Sequence, residues 1–236
     1  MDAQLEADLV HANDLREQEK YGDSAKAYTD CLIASIEKQD HSALIHCLCG
    51  QSHIYKILSR KTGNNIYKNL AVALAKESLA ILDDHQEDID AHTHSIALSS
   101  YADSLLMNNQ LSEALPYFEE SLSVSPAGNP EKGRLKCHIG GIKYLLGDKQ
   151  LGIDLINEGL SMIREGDMMA YNIRVWETGA LNGLAKIYAL EKNPEKAKIF
   201  AEESLVIATE HNLTIRKREV EEILEKIKAD KTDFSL

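Results

Sequence analysis

Residues 180–193 read ALNGLAKIYALEKN and residues 194–205 read PEKAKIFAEESL. Together they decide the fold. Both stretches are rich in Ala, Leu, Lys and Glu, which are good helix formers. Between them Asn193 stands at an N-cap position and Pro194 at the first helical position, a strong start signal. The reading is therefore two helices joined by a tight turn. In the second helix Ala197, Ala201 and Ser204 follow one another at spacings of four and three, and Leu205 comes next. That spacing puts them on one stripe, and its small residues let another helix approach closely.

The same stripe occurs four more times. In YGDSAKAYTDCLI (21–33) the residues are Ser24, Tyr28, Cys31 and Leu32; in KNLAVALAKESL (68–79) they are Ala71, Ala75, Ser78 and Leu79. LSEALPYFEESL (111–122) gives Ala114, Phe118, Ser121 and Leu122, and KQLGIDLINEGL (149–160) gives Gly152, Ile156, Gly159 and Leu160. The second small positions are 47, 43, 38 and 45 residues apart. Self-similarity on this scale signals a solenoid. Another amphipathic helix precedes each one, most clearly at 97–110 and 135–149, where Ala102 and Gly140 match Ala185. Asn108-Asn109 and Gly147-Asp148 mark turns within pairs, and Ser125-Pro126 and Gly128-Asn129-Pro130 mark a break between pairs.

This pattern resembles the tetratricopeptide repeat (TPR) family over about residues 5–210. The match is best in the third and fifth repeats. The resemblance implies an all-α, right-handed α-solenoid of five helix pairs, at about 1–40, 41–83, 88–126, 130–166 and 168–211. The spacings exceed the family's roughly 34-residue unit, so longer helices or loops are expected. SRKTGNNIYKN (59–69) is the largest insertion, either a projecting loop or longer helix ends meeting at Gly63-Asn64-Asn65. IRKREVEEILEKIKA (215–229) breaks the pattern. Its stripe of Val220, Ile223, Leu224 and Ile227 suits a capping helix over 213–230 or a dimerisation helix, and the tail 231–236 is expected to fray.

The formal net charge of −12 argues against nucleic acid as a partner. The dense basic run Arg216-Lys217-Arg218 is followed by Glu219, Glu221 and Glu222, as on a solvated helix face. The N-terminus lacks the pattern of a secretory signal, and no apolar run reaches membrane-spanning length. Cys31, Cys47, Cys49 and Cys137 sit in apolar helical patterns and read as reduced wall or core residues of a cytoplasmic protein. No phosphate-cradle, nucleophile-elbow or H-E-x-x-H motif occurs. Ser35-x-x-Lys38 and Lys61-Thr62-Gly63 imitate two motifs of penicillin-recognising enzymes, but at a spacing too short for that fold. Gly140, Gly141, Gly152 and Gly159 read as helix-packing positions. No enzymatic activity and no cofactor are expected.

HCLCGQSH (46–53) is the densest cluster of potential ligands. Aligning Ile54-Tyr55 with Ile187-Tyr188 puts His46, Cys49 and His53 on one face, toward the groove that the resemblance implies. A groove wall is the expectation there; a zinc site is the alternative, weakened by the lack of a fourth ligand. His85, His92 and His94 lie among acidic residues and read as a solvated turn between repeats.

In the family, first helices line a concave surface and their non-core positions touch the ligand. Carried over, this selects Asn13, Arg16, His53, Lys56, Asp103, Leu106, Tyr144, Asn182 and Lys186. Trp176, with Asn172 and Arg174 nearby, is either a hot spot or a packing residue between repeats. The chaperone-tail subfamily fits poorly, because Leu9 stands where an early Lys is needed, although Asn13 matches. The resemblance thus implies a protein or peptide as partner, in a monomer or homodimer, with Arg16, Lys56, Lys186 and Arg174 available to an acidic segment. The alternative is a sensor that binds a short peptide or small ligand and acts in trans.

Overall fold

The computed structural model describes residues 2–234. It is all-α among the described residues, and the helices divide into two compact units, residues 1–126 and 127–236. The first unit holds three antiparallel hairpins: α1 (Ala3–Glu17) with α2 (Tyr21–Lys38), α3 (His41–Thr62) with α4 (Asn65–Asp84), and α5 (Ala91–Met107) with α6 (Leu111–Val124). Here α3 packs on α1 and α2, and α5 on α3 and α4. The second unit holds α7 (Asn129–Leu145) with α8 (Lys149–Ile163), α9 (Tyr171–Leu190) with α10 (Pro194–Glu210), and α11 (Thr214–Lys228). No helix among the described residues is long and apolar enough to cross a membrane.

The small-residue stripes are the hairpin seams. Ser24 Oγ donates to the carbonyl of Ala12 at 2.7 Å, and Ser52 Oγ donates to that of Ala71 at 2.8 Å. In α5–α6 the hydroxyls of Ser95 and Ser121 bond each other at 2.8 Å. In α7–α8 the backbones themselves meet: a Cβ on Gly133 would stand 2.4 Å from the carbonyl oxygen of Gly159, and one on Gly140 would stand 2.6 Å from that of Gly152. Large apolar residues beside the seams form the cores, with Leu9, Tyr28, Cys31, Cys47 and Ile54 in the first unit and Ile156, Ile163, Leu181 and Leu184 in the second. Each such burial stabilises by about 1.5–3 kcal/mol for a Leu- or Ile-sized side chain.

Four hairpins share one turn. Glu19, Asn109, Gly147 and Lys192 have positive φ, and the next residue's N–H reaches five residues back, to Leu15, Leu105, Lys143 and Tyr188. The α3–α4 hairpin differs. The 59–69 segment is extra helix, and the chain reverses at Gly63 (φ +68) with Asn64 capping α4 through the N–H of Ile66. The seam residues Ser52 and Ala71 lie 19 positions apart, whereas Ala12 and Ser24, like Gly140 and Gly152, lie 12 apart. The seven extra residues come close to two helical turns, about one per helix, so the stripe keeps its face. The added turns are packed: Tyr55 stacks on Tyr67 at 6.1 Å, and Lys61 reaches Glu19 in the preceding turn at 3.1 Å.

Val220 and Ile223 of α11 are buried against Ala185 and Ala201, with Leu224 and Ile227 beside them. The apolar stripe is thereby used within the chain. Phe234 packs on the same cluster, so the tail is anchored through that residue rather than frayed; residues 235 and 236 lie outside the described part.

Candidate functional site

In the first unit a cavity of about 240 Å³ opens on the layer formed by α1, α3 and α5. Helix α1 contributes Leu9, Asn13 and Arg16; α3 contributes His46, Cys49, Gly50 and His53; α5 contributes Ile96. Spacings of three and four put each set on one helix face. Tyr28 arrives from α2 and is almost wholly buried. It fits because of Gly50: a Cβ there would lie 2.2 Å from the Tyr28 ring. The Tyr28 hydroxyl donates to Asn13 Oδ1 at 2.6 Å and accepts from Arg16 Nη1 at 3.3 Å, while Asn13 Nδ2 donates to the Leu9 carbonyl at 3.0 Å. Burial pushes the phenol up to about 12, so it stays a donor.

His46 forms the other wall. The Thr93 hydroxyl gives its hydrogen to Asp90 Oδ2 at 2.7 Å, so the 3.1 Å contact between Thr93 Oγ1 and His46 Nε2 requires Nε2–H to be the donor. In the neutral ring Nδ1 is then the acceptor. Burial holds His46 down to about 4, with the neighbouring His92 acting in the same direction. The ring is therefore neutral at pH 7. Burial raises all four thiols as well, Cys47 and Cys137 to about 12. That disfavours a nucleophilic or metal-binding thiolate. His46, Cys49 and His53 share the cavity, but they are not the one set of three such side chains, among the described residues, whose ligand atoms lie within 4.8 Å of one another. That set is His41, His85 and Asp88. The turn that carries His85 and His92 is mostly exposed, as read from its acidic residues, with His85 stacked on His41 and His92 facing His46.

The expected cationic character of the groove is largely cancelled. Arg16 Nη2 pairs with Glu17 at 2.9 Å, and Lys56 pairs with Asp103 at 2.5 Å across α3 and α5. His53 is exposed, and Leu106 is half-buried. In the second unit Arg174 pairs with Glu177 at 2.7 Å. Glu177 is 2% exposed and also accepts from Arg164 Nε at 2.8 Å, so this end of α9 is tied to the end of α8. That clamp was not legible in the sequence, because Arg164 and Glu177 follow no helical spacing across the connection between α8 and α9.

Two groove candidates of the second unit are buried rather than presented. Tyr144 is 5% exposed and donates to Glu191 at 2.5 Å. Burial and the adjoining Glu191 carboxylate both raise its pKa. Asn182 is 4% exposed; its Oδ1 accepts from Ser204 Oγ at 2.7 Å, and its buried Nδ2 has no hydrogen-bond partner. The partners differ: Asn182 turns into the α9–α10 seam, whereas the Tyr144 hydroxyl reaches from α7 to the C-terminal end of α9. Trp176 is half-buried against the unit's core with the Arg134 guanidinium 5.8 Å from its ring, Asn172 is exposed, and Lys186 is half-buried.

No family model matches this sequence, and no curated protein matches it. Solved structures do. A Podosopora anserina protein described as a kinesin light chain with nearly identical TPR-like repeats is 12% identical, with a TM-score of 0.56 over 90% of this chain and 99% of that one. BtubC (BKLC) from P. vanneervenii is 14% identical, with a TM-score of 0.53 over 97% of this chain and 91% of that one. A Signal Transduction ATPase with Numerous Domains from Pyrococcus horikoshii, which carries a tetratricopeptide repeat sensor, is 19% identical, with a TM-score of 0.53 over 87% of this chain and 33% of that one. These likenesses bear out the resemblance read from the seams: the chain has the all-α repeat fold of TPR-like proteins.

Proposed function

We propose that this protein is a non-enzymatic interaction module, and that the cavity on α1, α3 and α5 receives an anchor side chain of a partner peptide. The carrying observation is the cavity itself: about 240 Å³, walled by successive first helices. Its size falls below the roughly 300–1,000 Å³ typical of small-molecule pockets, which favours one side chain of a longer segment over a metabolite. Its walls define the anchor. Leu9, Cys49 and Ile96 suit an apolar group, and Asn13, Arg16 and neutral His46 supply fixed polar partners at the edge. Because Arg16 and Lys56 carry internal carboxylate partners, a neutral or weakly charged segment suits the site better than an acidic tail. Buried aromatic or aliphatic anchors commonly dominate such interfaces.

The test is selection of binders from a displayed random-peptide library on the wild-type chain, followed by affinities on two variants. Cys49→Phe fills the cavity, and Asn13→Ala removes its polar edge. The expected outcome is a shared apolar anchor and at least about tenfold weaker binding to both variants. Peptides that bind all three proteins equally would move the site elsewhere. Selection failing while a small ligand shifts the melting temperature would favour the sensor.

A further inference from the structure

We propose that His41, His85 and Asp88 form a binding site for a divalent transition-metal ion, with Zn²⁺ as the reference case. The site lies at the open end of the α3–α4 hairpin. His41 is the first residue of α3, His85 follows the last residue of α4, and Asp88 ends the short 3-10 turn Gln86–Asp88. An antiparallel hairpin necessarily brings the start of its first helix to the end of its second, so residues 44 positions apart in sequence become neighbours.

Three observations point to a metal. The two imidazole rings lie face to face, with centroids 3.6 Å apart and planes 15° from parallel. This stacking brings nitrogens of both rings close together. The ligand atoms of all three residues fall within 4.8 Å of one another. A metal with bonds of about 2.0–2.2 Å needs ligand atoms roughly 3–3.5 Å apart. Rotation of two half-buried histidines and an exposed aspartate supplies the remaining distance, up to roughly 1.3–1.8 Å. The flanking charge also has the right sign: Asp83, Asp84, Glu87 and Asp90 flank His85 and Asp88 in sequence, and Lys38, the cation nearest His41 in sequence, is paired with Asp2.

The donor set selects the ion. Two imidazoles and a carboxylate suit Zn²⁺, Co²⁺, Ni²⁺ or Cu²⁺, whereas Mg²⁺ and Ca²⁺ take oxygen ligands. Three protein ligands leave positions for water or an outside donor. The bound ion ties α3, α4 and the turn before α5 together, so binding stabilises the folded chain by linkage. The site is separate from the cavity and does not depend on how that cavity is used.

The test uses the full chain, stripped of metal with a chelator and titrated with Zn²⁺ by calorimetry and with Co²⁺ by visible absorption. The expected result is one equivalent bound, a Co²⁺ spectrum of a nitrogen- and oxygen-ligated centre, and a rise in melting temperature. His41→Ala and His85→Ala, each checked for native circular dichroism, should weaken binding at least about tenfold and abolish the thermal shift. The double variant His46→Gln/His53→Ala should leave all three readouts unchanged. Absence of a one-to-one complex overturns the proposal. So does binding that survives in a folded His41→Ala/His85→Ala chain, or binding lost in the His46/His53 variant, which would put the ion in the cavity.

Discussion

The hairpins α3–α4 and α7–α8 solve one problem by opposite means. Both must bring two helices close along a seam. In α7–α8 the side chain is removed, and glycine carbonyls lie where Cβ atoms would otherwise stand, 2.4 and 2.6 Å away. Each helical glycine costs roughly 1 kcal/mol of intrinsic stability, and close backbone packing offsets it. In α3–α4 a small side chain is kept, and the Ser52 hydroxyl bonds across the seam to Ala71. The neighbouring faces differ as well. Six residues before each seam residue stand His46 and Arg134; the first walls a cavity, and the second lies over Trp176. The lesson is that the seam face of a repeat helix fixes the hairpin, while the adjacent face is free to become either a binding wall or more packing.

That contrast can be broken most severely in α7–α8. Gly140→Ala combined with Gly159→Ala places a methyl against backbone at both crossings. The combined loss should be about 4 kcal/mol after the gain in helix propensity, read from urea unfolding. The next largest effect belongs to the cavity wall. His46 is held near 4, below its ordinary value of about 6.5, so the unfolded chain binds the extra proton between those limits. Its contribution is therefore fully present above about pH 6.5 and is lost as the pH falls toward 4, by about 2–3 kcal/mol. Unfolding curves at pH 7 and pH 4.5 should diverge by that much less in His46→Gln than in the wild type; equal pH dependence would refute it. Ser52→Ala removes one seam hydrogen bond and should cost about 1 kcal/mol, far less than a methyl at the glycine seam. Gly141→Ala sharpens the comparison from the other side. No atom lies within 4 Å of its Cβ position, so this substitution should stabilise the chain by about 0.5–1 kcal/mol.

The fold was legible because the seam pattern is local. Residues such as Ala114, Phe118 and Ser121 declare their shared face by spacing alone, and all three are buried. Turns were legible from Asn, Gly and Pro, including Asn193-Pro194 between α9 and α10, but the residue that reverses the chain was not always legible. Asn109 and Gly147 announced the left-handed position, while Glu19 and Lys192 adopt it with nothing in their chemistry to say so. The face of His46, Cys49 and His53 could be read from one helix. Tyr28 could not be placed in the cavity, because its route there passes through the missing side chain of Gly50 on another helix. The pairing of Lys56 with Asp103 was equally hidden, since an ion pair 47 residues apart exists only once α3 and α5 are side by side.

The seven added residues of α3–α4 make the hairpin behave like a bolt and nut. Length can be added only in whole threads, because a half-thread would rotate the far ends and leave mismatched residues facing each other. Gly63-Asn64, at the tip beyond the last meshed turn, is therefore the natural port for grafting foreign sequence. Cargo inserted there hangs from a reversal whose strain stops at its own two caps, and the threads below stay engaged.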